Sequence, residues 1–166
     1  YNISASLVIP GYHEKLEIIP EKSFKEKDID VLFYGTIDKR RQKIKEEFEK
    51  TKGLKALFLT NAYGEKRDSI IARSKILLNI HKGDFDHFEP VRVSYLLNNR
   101  CFIISENSTD YPYAGVDIRF SDRNKIVDTC RYFLSHPEEV KERSQKTYEQ
   151  FKKNYSMPEM IKKLLD

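Results

Sequence analysis

Apolar residues along the chain alternate between two kinds of pattern. Dense short runs occur at Ile29-Asp30-Val31-Leu32-Phe33-Tyr34, Leu54-Lys55-Ala56-Leu57-Phe58-Leu59, Ile76-Leu77-Leu78-Asn79-Ile80 and Phe102-Ile103-Ile104-Ser105. Each has strand length, carries branched or aromatic side chains, and stops at a glycine or a polar cluster. Between these runs the apolar residues thin to one face. In the charged stretch from Arg40 to Lys52, Ile44 and Phe48 stand four apart, and Gly53 follows as a C-cap glycine does. Lys66 to Arg73 predicts a short helix with Ile70 and Ile71 inward, and Pro90 to Asn98 predicts another. Ile118 to Phe120 reads as a short edge strand or extended segment. Ser121 is placed to cap a helix from Asp122 to Ser135. Pro137 opens a helix that runs to about Asn154, and Met157 to Leu165 forms the last one.

Strands therefore alternate with helices almost throughout. This pattern predicts an α/β fold, a Rossmann-like parallel sheet with helices on both faces. The ends differ from the middle. Ala5-Ser6-Leu7-Val8-Ile9-Pro10 reads as a strand end that stops at Pro10-Gly11, and the charged stretch up to Lys27, with Pro20, reads as connector. The expected organisation is a linker over 1–27, one domain over 28–156 and a terminal helix over 157–166. At 166 residues the chain is long enough to bury a real core. It begins at Tyr1 within apparent structure, which reads as part of a longer protein.

Composition narrows the function classes. Charged residues make up 34% and hydrophobic ones 39%, and the formal net charge is +4. That balance allows anionic ligands. No basic run is interleaved with aromatics, so a nucleic-acid surface is not expected. No apolar run approaches the ~20 residues of a membrane span. The two cysteines, Cys101 and Cys130, make no disulfide framework and point to a reducing, cytoplasmic compartment.

Candidate chemistry lies in the loops that follow the strands. In a parallel sheet these loops gather at the carboxyl ends, where ligands bind. Gly35 closes the first strand, and Lys39, Arg40 and Arg41 follow at a helix start. Glycine allows close approach to the backbone, and the cations with the helix N-terminus suit a diphosphate. Neither a Walker loop nor Gly-x-Gly-x-x-Gly is present, and the same residues also read as a turn and a solvated helix. Asn61-Ala62-Tyr63-Gly64 follows the second strand, where Tyr63 could stack on a planar ring. The third loop carries His81, Asp84, Asp86, His87 and Glu89, with Arg92 one turn on. Its acids suit sugar hydroxyls or helix capping, and Glu89 before Pro90 stands at an N-cap-like position. Its His and Asp spacing fits no standard metal site. Ser105-Glu106-Asn107-Ser108-Thr109-Asp110 is a polar loop bordering the same crevice. Nucleophilic catalysis lacks a motif.

Taken in order, these segments resemble the C-terminal, nucleotide-sugar-binding half of GT-B glycosyltransferases (glycosyl transferases group 1), the group that includes the spore-protein CgeB-like transferases. The resemblance covers about residues 28–155. It rests on Asp30-Val31-Leu32-Phe33-Tyr34-Gly35-Thr36 with the following cations, Ala72-Arg73-Ser74-Lys75-Ile76-Leu77-Leu78-Asn79-Ile80-His81, Phe88-Glu89-Pro90-Val91-Arg92, Phe102-Ile103-Ile104-Ser105-Glu106, Phe120-Ser121-Asp122, and the step Leu134-Ser135-His136-Pro137-Glu138. It implies a nucleoside-diphosphate sugar as donor substrate and no cofactor or metal. Gly35 with Lys39, Arg40 and Arg41 would face the diphosphate, and Tyr63 and Gly64 would lie near the base. His81 and the segment with Asp86, Glu89 and Arg92 would hold ribose and sugar. The acceptor, a glycan, lipid or protein, would bind a missing N-terminal domain, so this part alone is expected to bind donor without transferring sugar. The chemistry of the whole would be displacement at the anomeric carbon, with the leaving diphosphate stabilised by cations and helix amides. The paired glutamates usual in retaining members are absent, because the second position falls on Ser94 counted from Asp86 and on Leu97 counted from Glu89. The resemblance therefore fixes neither retention nor inversion. The competing reading is a non-catalytic α/β binding or assembly module.

Overall fold

The structure is a computed structural model that describes residues 8–83 and 86–165. Five strands form one parallel sheet: β1 (Ile29–Tyr34), β2 (Ala56–Leu59), β3 (Ser74–Asn79), β4 (Ile103–Glu106) and β5 (Arg119–Ser121), in the spatial order β2-β1-β3-β4-β5. Val31 lies in register between Ala56 and Ile76, so β1 is an interior strand, and its Val31, Leu32 and Phe33 are buried on alternating faces. The helices are α1 (Lys39–Lys50), α2 (Gly64–Ala72), α3 (Pro90–Asn98), α4 (Ile126–Leu134), α5 (Pro137–Asn154) and α6 (Met157–Leu165). The expected α/β class, with a parallel sheet between helices, is what the chain forms.

Alternation along each strand divides the core in two. Val31 and Phe33 of β1, with Ile76 and Leu78 of β3, pack on Ile44 and Phe48 of α1 and on Ile126, Cys130 and Phe133 of α4. Leu32 and Leu77 face the other way, onto Ile71, Val93, Leu96 and Phe151. Each of these large side chains contributes about 1.5–3 kcal/mol by leaving water. Burial also pushes the Cys101 thiol up to about 12 and the Cys130 thiol higher still, so neither is a ready nucleophile.

Three expectations about local structure change. Ser121 ends β5 and caps nothing, because its hydroxyl meets that of Thr129 and a 3-10 turn, Arg123–Lys125, precedes α4. Val8–Pro10 forms no strand, and residues 5–7 of that expected strand end lie outside the described residues. The stretch expected to be connector is also fastened down. Asn98 and Asn99, at the end of α3, accept hydrogen bonds from the amides of His13, Ile18 and Ile19. Tyr12 bridges to Ser156, and a Cβ on Gly11 would lie 2.3 Å from the Tyr155 carbonyl oxygen. Among the described residues no helix is long and apolar enough to cross a membrane.

Candidate functional site

Strand order 2-1-3-4-5 reverses the direction of winding between β1 and β3. The loops leaving the two strands there go to opposite faces and leave a crevice at the carboxyl ends. A cleft of about 1160 Å³ occupies that region. β1 contributes Tyr34 and Gly35, the loop after β2 contributes Asn61 and Tyr63, and α2 adds Arg67. Lys82 follows β3, and α3 supplies Arg92, Ser94 and Tyr95, with Glu89 just before its first turn. Pro10 and Leu16 of the fastened N-terminal stretch also line it.

Gly35 has φ +144, a conformation that side-chain-bearing residues avoid, and a Cβ there would lie 2.8 Å from Arg92 Nη2. The glycine thus lets the Arg92 guanidinium reach the end of β1. Arg92 is 10% exposed. Its Nη1 donates to Asn79 Oδ1 at 3.1 Å and lies 2.6 Å from Glu89 Oε2. Its Nε is buried without a hydrogen-bond partner. Burial lowers the Arg92 pKa, against the raising effect of the Glu89 carboxylate. Phe33 lies under both this guanidinium and that of Arg41, at 5.1 and 4.9 Å from its ring centroid.

Arg40 and Arg41 were expected to face a diphosphate, and the structure turns both inward. Arg41, 2% exposed, donates from Nε and Nη2 to the Ile80 carbonyl, from Nε to the His81 carbonyl and from Nη1 to the Thr36 carbonyl, and Nη2 pairs with Glu89. It joins the end of β1, the end of β3 and the start of α3. Arg40 makes a two-pronged pair with Glu106 at 2.6 and 2.7 Å, which raises its own pKa. Glu106 is buried and also accepts the His81 amide at 2.7 Å. Lys39 is exposed at the start of α1 and does not line the cleft. The N-cap of α1 is Asp38, which accepts the Arg41 and Gly83 amides. Burial opposes its ionisation, but these bonds prevail and lower its pKa.

Glu89 precedes Pro90 as expected, yet its side chain makes no capping bond, because Arg41 and Arg92 hold the carboxylate instead. The His81 ring is fully buried, both ring nitrogens lack a hydrogen-bond partner, and Nδ1 lies 3.5 Å from the exposed Asp86 carboxylate. Neither His81 nor Asp86 lines the cleft. Asp84, of the same loop, lies outside the described residues. Among the described residues no group of His, Cys, Asp and Glu is placed to hold a metal ion. Asp110 secures the far end of the loop by accepting the Phe88 amide, and its hydrogen bonds, first from Ser108, hold its carboxyl down at about 2. Tyr63 is 76% exposed at the rim, at the N-cap position of α2, and Gly64 next to it has φ +54. Gly64 does not reach the cleft.

The structure thus gathers Gly35, Arg41, Tyr63, Glu89 and Arg92 around one cleft and leaves Lys39, Arg40, Gly64, His81 and Asp86 outside its lining. Tyr34, Arg67, Lys82 and Tyr95 join it without having been singled out. The Tyr34 signal was available, because alternation from Leu32 sends it to the α2–α3 side. Burial raises the pKa of Tyr34, and also that of Tyr95, to about 12 in the latter case, where a hydrogen bond to Asp68 adds to it. Arg67 stacks on Tyr95 with its guanidinium carbon 4.1 Å from the ring centroid, and pairs with Asp68. Among the described residues the lining carries four cations, Arg41, Arg67, Lys82 and Arg92, against one carboxylate, Glu89. Such a cleft attracts anions, and its exposed tyrosine offers a flat apolar face.

No family model matches the chain. Similar sequences include three proteins of Acanthamoeba polyphaga mimivirus, each described as uncharacterized. One is 32% identical over 137 residues, covering 77% of this chain and 45% of its own length. A second is 35% identical over 112 residues, covering 64% of this chain and 13% of its own. The third is 34% identical over 83 residues, covering 46% and 30%. The chain thus spans less than half the length of each of these curated relatives.

Proposed function

We propose that the chain is the donor-binding part of a glycosyltransferase and that the β1–β3 cleft takes a nucleoside-diphosphate sugar. One observation carries the reading: Gly35, Tyr63, and the pair Glu89 and Arg92, from three separate stretches of sequence, line a single cationic cleft at the winding reversal of a parallel sheet. The resemblance to the GT-B donor half supports it, and so does the ligand position general to such sheets. In this reading the base lies against Tyr63, the diphosphate against the cationic wall by Gly35, and the sugar towards α3. The acceptor and the catalytic base belong to another part of the protein.

Calorimetric titration of the chain with UDP, GDP and their sugars tests this. Saturable binding of at least one nucleotide diphosphate is expected, weaker for the nucleoside alone. A folded sample that binds none of them would contradict the reading and favour an assembly module.

A further inference from the structure

We infer that His87, held by Asp110, is a general base on the cleft wall, and that the chain by itself hydrolyses the nucleotide sugar it binds, at the anomeric carbon. The inference rests on the nucleotide-sugar reading for the identity of the substrate. The base for transfer to the acceptor belongs to the other part of the protein, as above, and His87 serves water instead.

His87 lies in the loop between β3 and α3 and lines the cleft beside Lys82 and Glu89. It stands three residues before Pro90, the first residue of α3, which is the end of the cleft assigned to the sugar. Its Nδ1 lies 3.1 Å from Asp110 Oδ2, in the loop after β4. Asp110 is itself held in place, because Oδ1 accepts the Phe88 amide at 2.8 Å and the Ser108 hydroxyl at 2.5 Å. One carboxylate oxygen thus holds the loop and the other meets the ring. With its carboxyl held down at about 2, Asp110 is a carboxylate at any working pH. A carboxylate only accepts hydrogen bonds, so the Nδ1 that faces it carries the proton, and Nε2 of the neutral ring carries the lone pair. This is the tautomer a general base needs, set by a carboxylate behind the imidazole. The His87 side chain is 77% exposed, so water reaches the ring. His81 sets the contrast, since its ring is fully buried and does not line the cleft.

In the step itself, a water oxygen bonds to the anomeric carbon as the bond from that carbon to the β-phosphate oxygen breaks. Nε2 takes the water proton and passes it to solvent, and the nucleoside diphosphate leaves with the bonding electrons. Nothing is oxidised or reduced.

The test is incubation of the chain with UDP-glucose and GDP-mannose in ¹⁸O-labelled water, for the parent and for H87N, H87A and D110N. Calorimetry with UDP and GDP and a thermal melt accompany each sample. The parent should release the diphosphate and carry the label in the free sugar. H87N should lower kcat about 100-fold or more with KM little changed. Added imidazole should restore part of the activity of H87A, because the site is open to solvent. D110N should lower kcat about tenfold or more, because the ring loses its fixed tautomer. If D110N melts early, the exposed His87 variants carry the test. The ¹⁵N shifts of the neutral His87 ring should place its proton on Nδ1. Unchanged turnover in H87N, label in the phosphate, or a proton on Nε2 overturns the inference. Failure here and failure of the donor reading are separable. A chain that binds UDP or GDP and releases no sugar keeps the donor reading and loses the inference. A folded chain that binds neither and hydrolyses neither loses both.

Discussion

Two charged networks in this molecule look alike in composition and differ in completeness. One fastens residues 12–17 to Arg100, just after α3, and to α5. Glu17 accepts hydrogen bonds from Tyr12, Tyr148 and Arg100, Arg100 stacks on Tyr148, and Lys152 donates to the same hydroxyl. Both carboxylate oxygens of Glu17 are engaged. The other network lies at the β1–β3 rim, where Arg41, Glu89 and Arg92 meet. There Arg92 Nε is unmet, and the buried His81 ring at the end of β3 carries two unmet nitrogens. Buried polar groups in folded proteins are almost always satisfied, so a saturated network reads as a fastening and an unsaturated one reads as a place for something else.

That contrast can be broken most forcefully at Arg41. If it is a fastening within the rim, R41A removes the side-chain donor from the Thr36 and Ile80 carbonyl oxygens, leaves that of His81 to Arg40 alone, and should cost about 3 kcal/mol or more in urea unfolding. A loss below about 1 kcal/mol would remove the distinction between Arg41 and Arg92. The expectation from sequence, that Arg40 and Arg41 face a diphosphate or lie on a solvated helix, does not fit the bonds each makes.

Glu17 tests the saturated network itself. E17Q should lower stability by about 1–3 kcal/mol, the range for hydrogen bonds to a charged group. The pH dependence has a defined sign. Burial pushes Glu17 towards the neutral acid, but hydrogen bonds, from Tyr12 first and then Tyr148 and Arg100, prevail and lower its pKa from 4.5 to about 2. Its contribution is therefore present above about 4.5 and is lost as pH falls towards about 2. Parent and E17Q should converge in stability across that window. Parallel curves would show that the carboxylate is not the fastening group.

The smallest effect on the fold is expected at Tyr63. Y63A should leave stability within about 0.5 kcal/mol, because the ring is exposed. It should weaken nucleotide binding by about 1–3 kcal/mol, as the loss of a base-stacking ring does. Equal loss for UDP and for pyrophosphate would place the base elsewhere.

Much of this was legible in the chain. Strand-and-helix alternation located the sheet, and the position of loops after parallel strands brought Gly35, Tyr63, Glu89 and Arg92 to one rim. The direction of Arg40 and Arg41 was less visible, although half of the signal was present. Arg41 stands three before Ile44 and seven before Phe48, so it shares their buried stripe and must point at the sheet. Arg40 needed the spatial neighbour Glu106, which lies 66 residues away and is fixed only by the position of β4. The N-terminal stretch read as connector because side chain-to-backbone bonds, such as those from Asn98 and Asn99, leave no periodic trace. The close approach of Gly11 to the Tyr155 carbonyl, which a side chain would prevent, is invisible for the same reason.

The most direct measurement of the central claim is a ¹⁵N–¹H NMR titration of the chain with UDP and GDP. Saturating shifts should gather on the amides of Gly35, Thr36, Ala62, Tyr63 and Arg92, with small changes at β5 and α6. Shifts centred instead on α4, α5 or α6, or none at all in a folded sample, would contradict a nucleotide site at the β1–β3 rim.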